Sequence, residues 1–199
     1  MDEPTLRSLY LEEGLSAKQI ADRLGVPESK VVYWLRKYQI PKRSLSEAVY
    51  RRVNQGGDPF NIKTELSPEE EKLKVAGLLL WVTEGSLKDK EEVYTSNSNP
   101  ELIKLFLEFL LRICRVEQSR IALRVLYYPN MDLSIDEVRE FWRQETGLAD
   151  EQIKINIYQA IHNYRAKSKY GTVKVGVNNI KLLALMKQWL NELYGDLSS

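Results

Sequence analysis

The stretch KVAGLLLWVTEGS, residues 74–86, decides the fold of the second half of this chain. Its residues from 75 to 82 are almost all apolar, which is typical of a helix that is buried on all sides. The apolar run ends abruptly at Glu84 and Gly85, so the helix delivers a carboxylate to the edge of the core. Glu84 is therefore either an ordinary charge at a helix end or a group placed for chemistry.

Five patterns of Ser-x-x-Glu or Ser-x-x-Gln mark helix starts, because the two side chains can cap the first turn reciprocally. They are Ser16/Gln19, Ser44/Glu47, Ser67/Glu70, Ser98/Glu101 and Ser134/Glu137. With the apolar periodicity they predict helices over 4–13, 17–24, 27–38, 68–84, 99–114, 135–146 and 179–194. Strands are predicted over 92–96, 120–127, 153–159 and 172–177. The sequence therefore predicts an α+β protein.

The composition excludes several classes of protein. The chain is 43% hydrophobic and 29% charged, which is typical of a globular protein with a core. No apolar run reaches the roughly 18–20 residues of a membrane span, so we expect no membrane partner. A lone cysteine, Cys114, favours a reducing compartment, and a lone histidine, His162, excludes His-rich zinc sites. We expect a cytoplasmic, intracellular protein associated with the nucleoid.

The segment 55–67 interrupts the helical pattern with Gly-Gly, Asp-Pro and polar residues, and we interpret it as a linker. It separates a first domain, 1–54, from a second domain, 68–199. The first domain holds ten Lys and Arg against seven Asp and Glu, whereas residues 75–199 hold sixteen of each. Because the net charge is only +1, any nucleic-acid binding must come from local patches.

The segment LSAKQIADRLGVPESKVVYWLRKY, residues 15–38, resembles a helix-turn-helix. Gly25 stands where one helix ends and the chain must turn, and apolar residues fall at core spacing around it: Ile20, Leu24, Val26, Val31 and Leu35. The resemblance implies a three-helix DNA-binding domain over 1–54 whose recognition helix is 27–38. The outward positions of that helix are Glu28, Ser29, Lys30, Tyr33 and Lys37.

A short basic arm follows this helix and brings Lys42 and Arg43 within reach of phosphates. The alternative for the whole of 1–54 is a small helical bundle that makes protein contacts. The polar and basic outward positions favour DNA over that alternative.

The second half of the chain resembles the LAGLIDADG family of homing endonucleases. The matching segments, in order, are VAGLLLWVTEGS, VYTSNSNPELIKLFLEFL, IALRVLYY, VREFWRQETGL and KSKYGTVKVGV. The resemblance covers about residues 74–194 and implies a curved antiparallel sheet, backed by helices, that serves as a saddle for double-stranded DNA. The chain departs from the family pattern at Leu79, where the family has a glycine, and at Glu84, where the family has an aspartate.

The resemblance also implies that the helix 68–84 pairs with an equivalent helix. Since the chain has one such motif, we expect a homodimer, with interface residues Ala76, Gly77, Leu80 and Thr83. The two copies of Glu84 would then hold Mg²⁺ for phosphodiester cleavage. A lysine of the loop 163–171 would lie near the cleaved phosphate, the candidates being Lys167 and Lys169. A mobile basic loop is the alternative.

The strands alternate apolar and polar residues, which predicts one face for the helices and one for DNA. The polar-face and loop residues suited to phosphates or base edges are Arg120, Arg124, Lys154, Asn156, Arg165 and Lys174. An ordinary solvated sheet face is the alternative.

The sequence thus predicts a double-stranded DNA-binding protein of one of two kinds. The first is a site-specific, Mg²⁺-dependent endonuclease, favoured by the acid at position 84. The second is a transcription regulator that keeps the fold without cleavage, favoured by the near-neutral second half. A third alternative is a protein-interaction module with no DNA role.

Overall fold

The computed structural model describes residues 1–85, 89–158 and 168–198. The chain divides into two compact units, Met1–Gly56 and Gly57–Ser199. Within the described part of the chain, no helix combines the length and apolarity needed to cross a membrane.

The first unit is built from helices. They are α1 (Glu3–Arg7), which continues into a π-helical turn (Ser8–Glu12), α2 (Ala17–Leu24), α3 (Glu28–Lys37) and α4 (Leu45–Val53). Buried apolar side chains form one cluster: Leu6, Leu9, Tyr10, Ile20, Ala21, Val31, Leu35 and Ile40. Leu24, which we expected in this core, is 38% exposed.

The turn between α2 and α3 is built around Gly25. This residue has a φ of +63°, in the left-handed region that glycine adopts without strain, and its N–H donates back to the carbonyls of Ala21 and Asp22. Pro27 then immediately precedes α3. The predicted helix, turn and helix are therefore present with nearly the expected bounds.

The second unit alternates helices and strands. Its elements are α5 (Pro68–Glu84), β1 (Glu92–Asn97), α6 (Pro100–Glu108) with a π-helical turn (Phe109–Ile113), β2 (Ala122–Tyr127), α7 (Ile135–Thr146), β3 (Ile153–Ile157), β4 (Thr172–Asn178) and α8 (Ile180–Ser198). Short 3₁₀ turns at Gln118–Arg120 and Asp150–Gln152 precede β2 and β3. The α+β class is confirmed.

The four strands form one sheet in the order β1-β4-β2-β3. Strand β4 is antiparallel to both β1 and β2, whereas β2 and β3 are parallel. The expectation of a purely antiparallel sheet is therefore wrong. The reason is that α7 connects β2 to β3 as a crossover, which returns the chain to the same end of the sheet.

One cluster of buried side chains joins the apolar face of the sheet to helices α5 to α8. The alternation predicted for the strands is confirmed at Leu123, Val125, Val173 and Val175, which are all fully buried. The largest fully buried side chains of the cluster are Trp81, Trp142, Phe106 and Phe109. The opposite face of the sheet carries the polar side chains of the strands.

Four of the five predicted capping boxes are confirmed, at Ser16, Ser44, Ser67 and Ser134. The one at Ser98 is wrong. Because Pro100 occupies the first helical position of α6, the cap falls one residue later, and the Asn99 side chain accepts a hydrogen bond from the Glu101 N–H at 3.0 Å.

Residues 57–67, which we interpreted as most of a linker, pack on the second unit. Phe60, Ile62 and Leu66 contact its core. The Asn61 and Lys63 N–H groups donate to the carbonyls of Cys114 and Ile113 at 3.2 and 2.9 Å. These three apolar residues explain the packing, because they give a segment that also contains glycine and proline an apolar side to bury.

Candidate nucleic-acid interface

Helix α3 presents a polar and basic surface. The outward positions predicted from the sequence, Glu28, Ser29, Lys30, Tyr33 and Lys37, are all exposed. The Tyr33 ring is 57% exposed and meets Trp34 edge-on, and the Lys37 ammonium lies 4.5 Å from the centre of the Trp34 ring. Arg36 is exposed on the same helix and was missed, because the repeating pattern alone did not single it out.

The basic arm after α3 divides into one exposed cation and one engaged cation. Lys42 is exposed. The Arg43 guanidinium donates to the Tyr10 and Leu15 carbonyls and lies 4.0 Å from the centre of the Tyr10 ring. Burial lowers the pKa of this guanidinium. Arg43 therefore anchors the arm to the first unit, which corrects the expectation that it points to a phosphate.

A row of cations crosses the polar face of the sheet. The strand register places Arg124 of β2 opposite Lys174 of β4 on one side and opposite Lys154 of β3 on the other. Neighbouring strands lie about 4.8 Å apart, so the three side chains start from adjacent positions. Asn156 is exposed two residues beyond Lys154. Arg120 stands apart from this row, in the 3₁₀ turn before β2, and pairs with Glu117 at 3.6 Å.

Glu92 lies on the same polar face and was missed by sequence reasoning. One carboxylate oxygen is 3.3 Å from the Arg124 guanidinium, and the other accepts a hydrogen bond from the Lys174 ammonium. That ammonium also lies 3.6 Å from the centre of the Tyr94 ring. The alternation of Glu92 and Tyr94 with Val93 and Thr95 places Glu92 on the polar face of β1. It does not predict that β1 pairs with β4, which brings Glu92 near Lys174.

The loop before β4 is described only at its end. Arg165 and Lys167 lie outside the described residues. Lys169 is exposed, and its ammonium lies 5.1 Å from the centre of the Tyr170 ring. The Tyr170 ring stacks on Phe141 with centres 3.4 Å apart, and its carbonyl accepts a hydrogen bond from the Trp142 indole at 2.9 Å. These contacts hold Tyr170 in place, so the main chain that carries Lys169 has a defined position just before β4.

Helix α5 is not buried on all sides, contrary to the expectation. Val75 and Leu79, one turn apart, are 36% and 48% exposed, and Thr83 one turn further is also exposed. Because residues four apart share a helix face, these three define an exposed face of α5. Ala76 and Leu80 lie beside it and are half-buried. Glu84 is exposed at its end.

Gly77 lies on the other side of α5. A Cβ atom there would come within 2.2 Å of the Phe109 ring of the same chain, and both residues are buried. Gly77 therefore allows close packing inside the chain, which corrects its assignment to an interface between copies. Among the residues predicted for that interface, Thr83 is the one on the exposed face.

A single chain offers Mg²⁺ one carboxylate at the end of α5. In the described ranges, no three His, Cys, Asp or Glu side chains come together as a metal site. Glu84 has the oxygen donors that Mg²⁺ prefers, and such sites commonly use one or two carboxylates with water and phosphate oxygens. The donor type fits, and a second carboxylate would have to come from a second copy.

Glu84 and Lys169 lie near different parts of the sheet. Gly85 sits against the main chain of Tyr94, whose partner in β4 is Gly176. Lys169 precedes the start of β4 at Thr172, and those four residues of strand alone span about 13 Å. The structure therefore does not bring Glu84 and Lys169 of one chain together, and Lys167, the other predicted catalytic lysine, lies outside the described residues.

No family model, curated protein or solved structure matches this chain. The resemblance to homing endonucleases consequently has the quoted motifs as its support.

Proposed function

We propose that this protein binds double-stranded DNA. The observation that carries the proposal is the row formed by Lys154, Arg124 and Lys174 on the polar face of the sheet. A duplex presents one phosphate charge for every ~1.7 Å of its axis, so a row of cations meets phosphates over its whole length. Arginine can also contact a guanine edge through two hydrogen bonds.

The surface of α3 provides a second set of contacts. Lys30, Arg36 and Lys37 are exposed on this one helix, together with the polar side chain of Ser29. Side chains of these types bind phosphates and base edges, and a helix of this diameter fits the major groove. The exposed Lys42 extends the same basic surface.

We propose further that the DNA-binding form is a homodimer through α5. The exposed face of α5 (Val75, Leu79 and Thr83) consists of two apolar side chains and one uncharged polar side chain, so a second copy of the same face can cover it without burying a charge. A two-fold contact whose axis runs along the two helices would bury both leucines and bring the two Glu84 side chains to the same end of the helix pair.

Cleavage is the second candidate function, and the exposed Glu84 at the end of that face favours it. Two carboxylates from a helix pair would hold Mg²⁺, which when bound lowers the pKa of a water and stabilises negative charge on phosphate oxygens. If the protein binds DNA through the same surfaces without cleaving it, its function is that of a transcription regulator.

One selection experiment tests binding and cleavage together. Wild type and Glu84→Gln are incubated with randomised duplex DNA and Mg²⁺, and the bound and cleaved molecules are sequenced separately. Cleavage that disappears in the variant while binding persists supports the endonuclease. Binding without cleavage by either protein supports the regulator, and absence of binding by the wild type contradicts the proposal.

A matched pair of variants tests which surface binds. Arg124→Ala removes the central cation of the row, and we expect weaker binding to all duplexes together with a shallower dependence on salt. Arg112→Ala is the control, because it removes an exposed arginine of the π-helical turn after α6, which pairs with Glu108 at 3.1 Å. Equal losses in the two variants would contradict binding through the sheet.

A further inference from the structure

We infer that Glu92 determines the DNA specificity of the sheet face by holding Arg124 and Lys174 in one arrangement and cancelling part of their charge. The inference rests on the proposed DNA binding. An acidic residue on a DNA-binding surface thereby contributes to sequence specificity, which the number of cations on that surface would not suggest.

The geometry shows that both cations lean toward Glu92. In the register, Lys174 faces Ser96 of β1, whereas Glu92 faces Asn178, so Lys174 reaches along the strands to meet the carboxylate. It passes over the ring of Tyr94 on the way. Arg124 starts one strand further away, on β2, and must cross β4 to reach the same carboxylate at 3.3 Å.

Gly176 opens the path for this crossing. It lies in β4 between Tyr94 of β1 and Ala122 of β2, two residues from Lys174 on the polar face. Since neither Gly176 nor Ala122 carries a long side chain, the Arg124 side chain can extend over them. The contact between Arg124 of β2 and Glu92 of β1 therefore depends on the small size of Gly176 and Ala122.

The charge balance of the group limits general binding to DNA. One carboxylate is shared by two cations, and all three side chains are partly buried, at 21% exposure for Glu92, 36% for Arg124 and 31% for Lys174. A phosphate that approaches either cation must compete with Glu92. Because binding to any duplex depends on the number of phosphates neutralised, Glu92 lowers affinity for DNA in general.

The same contacts prepare the pair for one target. Long side chains such as arginine and lysine lose rotamer freedom when they bind, and a side chain that is already held loses less. A guanidinium fixed by a carboxylate presents its remaining N–H groups in a defined direction, which suits a guanine edge. Glu92 therefore raises the ratio of specific to general affinity in two ways. It lowers the affinity for DNA in general, and it prepares Arg124 and Lys174 for the target sequence.

The test is Glu92→Gln, measured on the preferred sequence from the selection and on unrelated duplex DNA over a range of salt. We expect affinity for unrelated DNA to rise roughly three- to tenfold at about 0.1 M salt, with a salt slope steeper by about one. The preference for the selected sequence should fall. Glu108→Gln changes the net charge equally at the end of α6, where Glu108 pairs with Arg112, and should leave both quantities unchanged.

Glu92→Asp separates charge from positioning, because it keeps the carboxylate but shortens the side chain. We expect a salt slope like that of the wild type with a reduced sequence preference. Thermal melting shows that each variant is folded before binding is measured. Unchanged affinity for unrelated DNA in Glu92→Gln, or unchanged preference in both variants, overturns the inference. Failure of the wild type to bind any duplex instead overturns the proposed function.

Discussion

Gly77 is a buried residue of α5 at which one added carbon atom would disturb the packing. Glycine inside a helix costs about 1 kcal/mol relative to alanine, so on helix propensity alone Gly77→Ala should stabilise the protein. The added Cβ would instead lie 2.2 Å from a buried Phe109 ring atom. We expect the substitution to lower the free energy of unfolding by about 1–3 kcal/mol, measured by urea denaturation.

Gly195→Ala in α8 provides the control, because nothing lies within 4 Å of the position of its Cβ. This change should be neutral or stabilise by up to about 1 kcal/mol. A similar effect of the two substitutions would show that Gly77 is not in close contact with Phe109.

Glu70 makes the stability of the second unit depend on pH. The hydrogen bonds from the Lys63 ammonium, at 2.7 Å, and from the Ser67 N–H hold the pKa of the Glu70 carboxyl below its ordinary value of 4.5. A carboxyl whose pKa is lowered by folding stabilises the native state above its ordinary pKa, and the contribution is lost as pH falls below that value. We expect Glu70→Gln to lose less stability than wild type between about pH 5 and pH 3.

Urea denaturation at several pH values measures this difference. Glu71→Gln, in the same turn of α5 and exposed, is the matched control and should follow the wild-type profile. If Glu70→Gln and wild type lose stability in parallel as pH falls, the carboxylate does not depend on Lys63 as described.

Individual residues were predicted well where a local pattern determines their position. Alternation along a strand sufficed to place Arg124, Lys154 and Lys174 on one face, because successive side chains of a strand point to opposite sides. The contacts of Glu92 and Arg43 depend on which segments meet in space. Neither contact has a local pattern, so neither was predicted.

At the scale of single elements, capping signals predicted helix starts closely, and α6 shows where they fail. Asn99 rather than Ser98 accepts the hydrogen bond from the first turn. We expect Asn99→Ala to lower the free energy of unfolding by about 0.5–2 kcal/mol and Ser98→Ala to change it by less than about 0.5 kcal/mol. Urea denaturation distinguishes the two, and the reverse order would place the cap back at Ser98.

The exposed face of α5 makes a prediction about association. Leu79→Glu places a charge in the proposed contact between two copies, where it would be removed from water without a partner. We expect this variant to sediment as a monomer at concentrations at which the wild type is a dimer. Leu11→Glu, which changes a similarly exposed leucine of the first unit, should leave the wild-type distribution unchanged. A wild type that stays monomeric, free and on DNA, contradicts the pairing of α5.

At the scale of the whole molecule, the α+β class was predictable because helix and strand patterns alternate along the sequence. The sheet order and the parallel pairing of β2 with β3 were not, since both are decided by contacts between distant segments. The boundary between the units was also misplaced. Glycine and proline in 55–67 indicated a break, yet the apolar residues Phe60, Ile62 and Leu66 attach most of the segment to the second unit.

This boundary can be tested with two fragments. The fragment 57–199 keeps these apolar contacts and the hydrogen bonds of 57–67 to the end of the α6 region, whereas 68–199 loses them. We expect the shorter fragment to be less stable by about 2–5 kcal/mol in urea denaturation. Equal stability of the two fragments would restore the interpretation of this segment as a linker.

The position of β4 in the sheet has a consequence for synthesis on the ribosome. This strand is the last of the four in sequence but separates β1 from β2 in the sheet, so neither has its antiparallel partner until β4 emerges. At about 5–20 residues per second, the interval from Asn97 to Thr172 takes on the order of 4–15 s. Until β4 emerges, β1 and, once it has been made, β2 each lack this partner along one edge, and the nascent second unit exposes unpaired strand edges of the kind that chaperones shield.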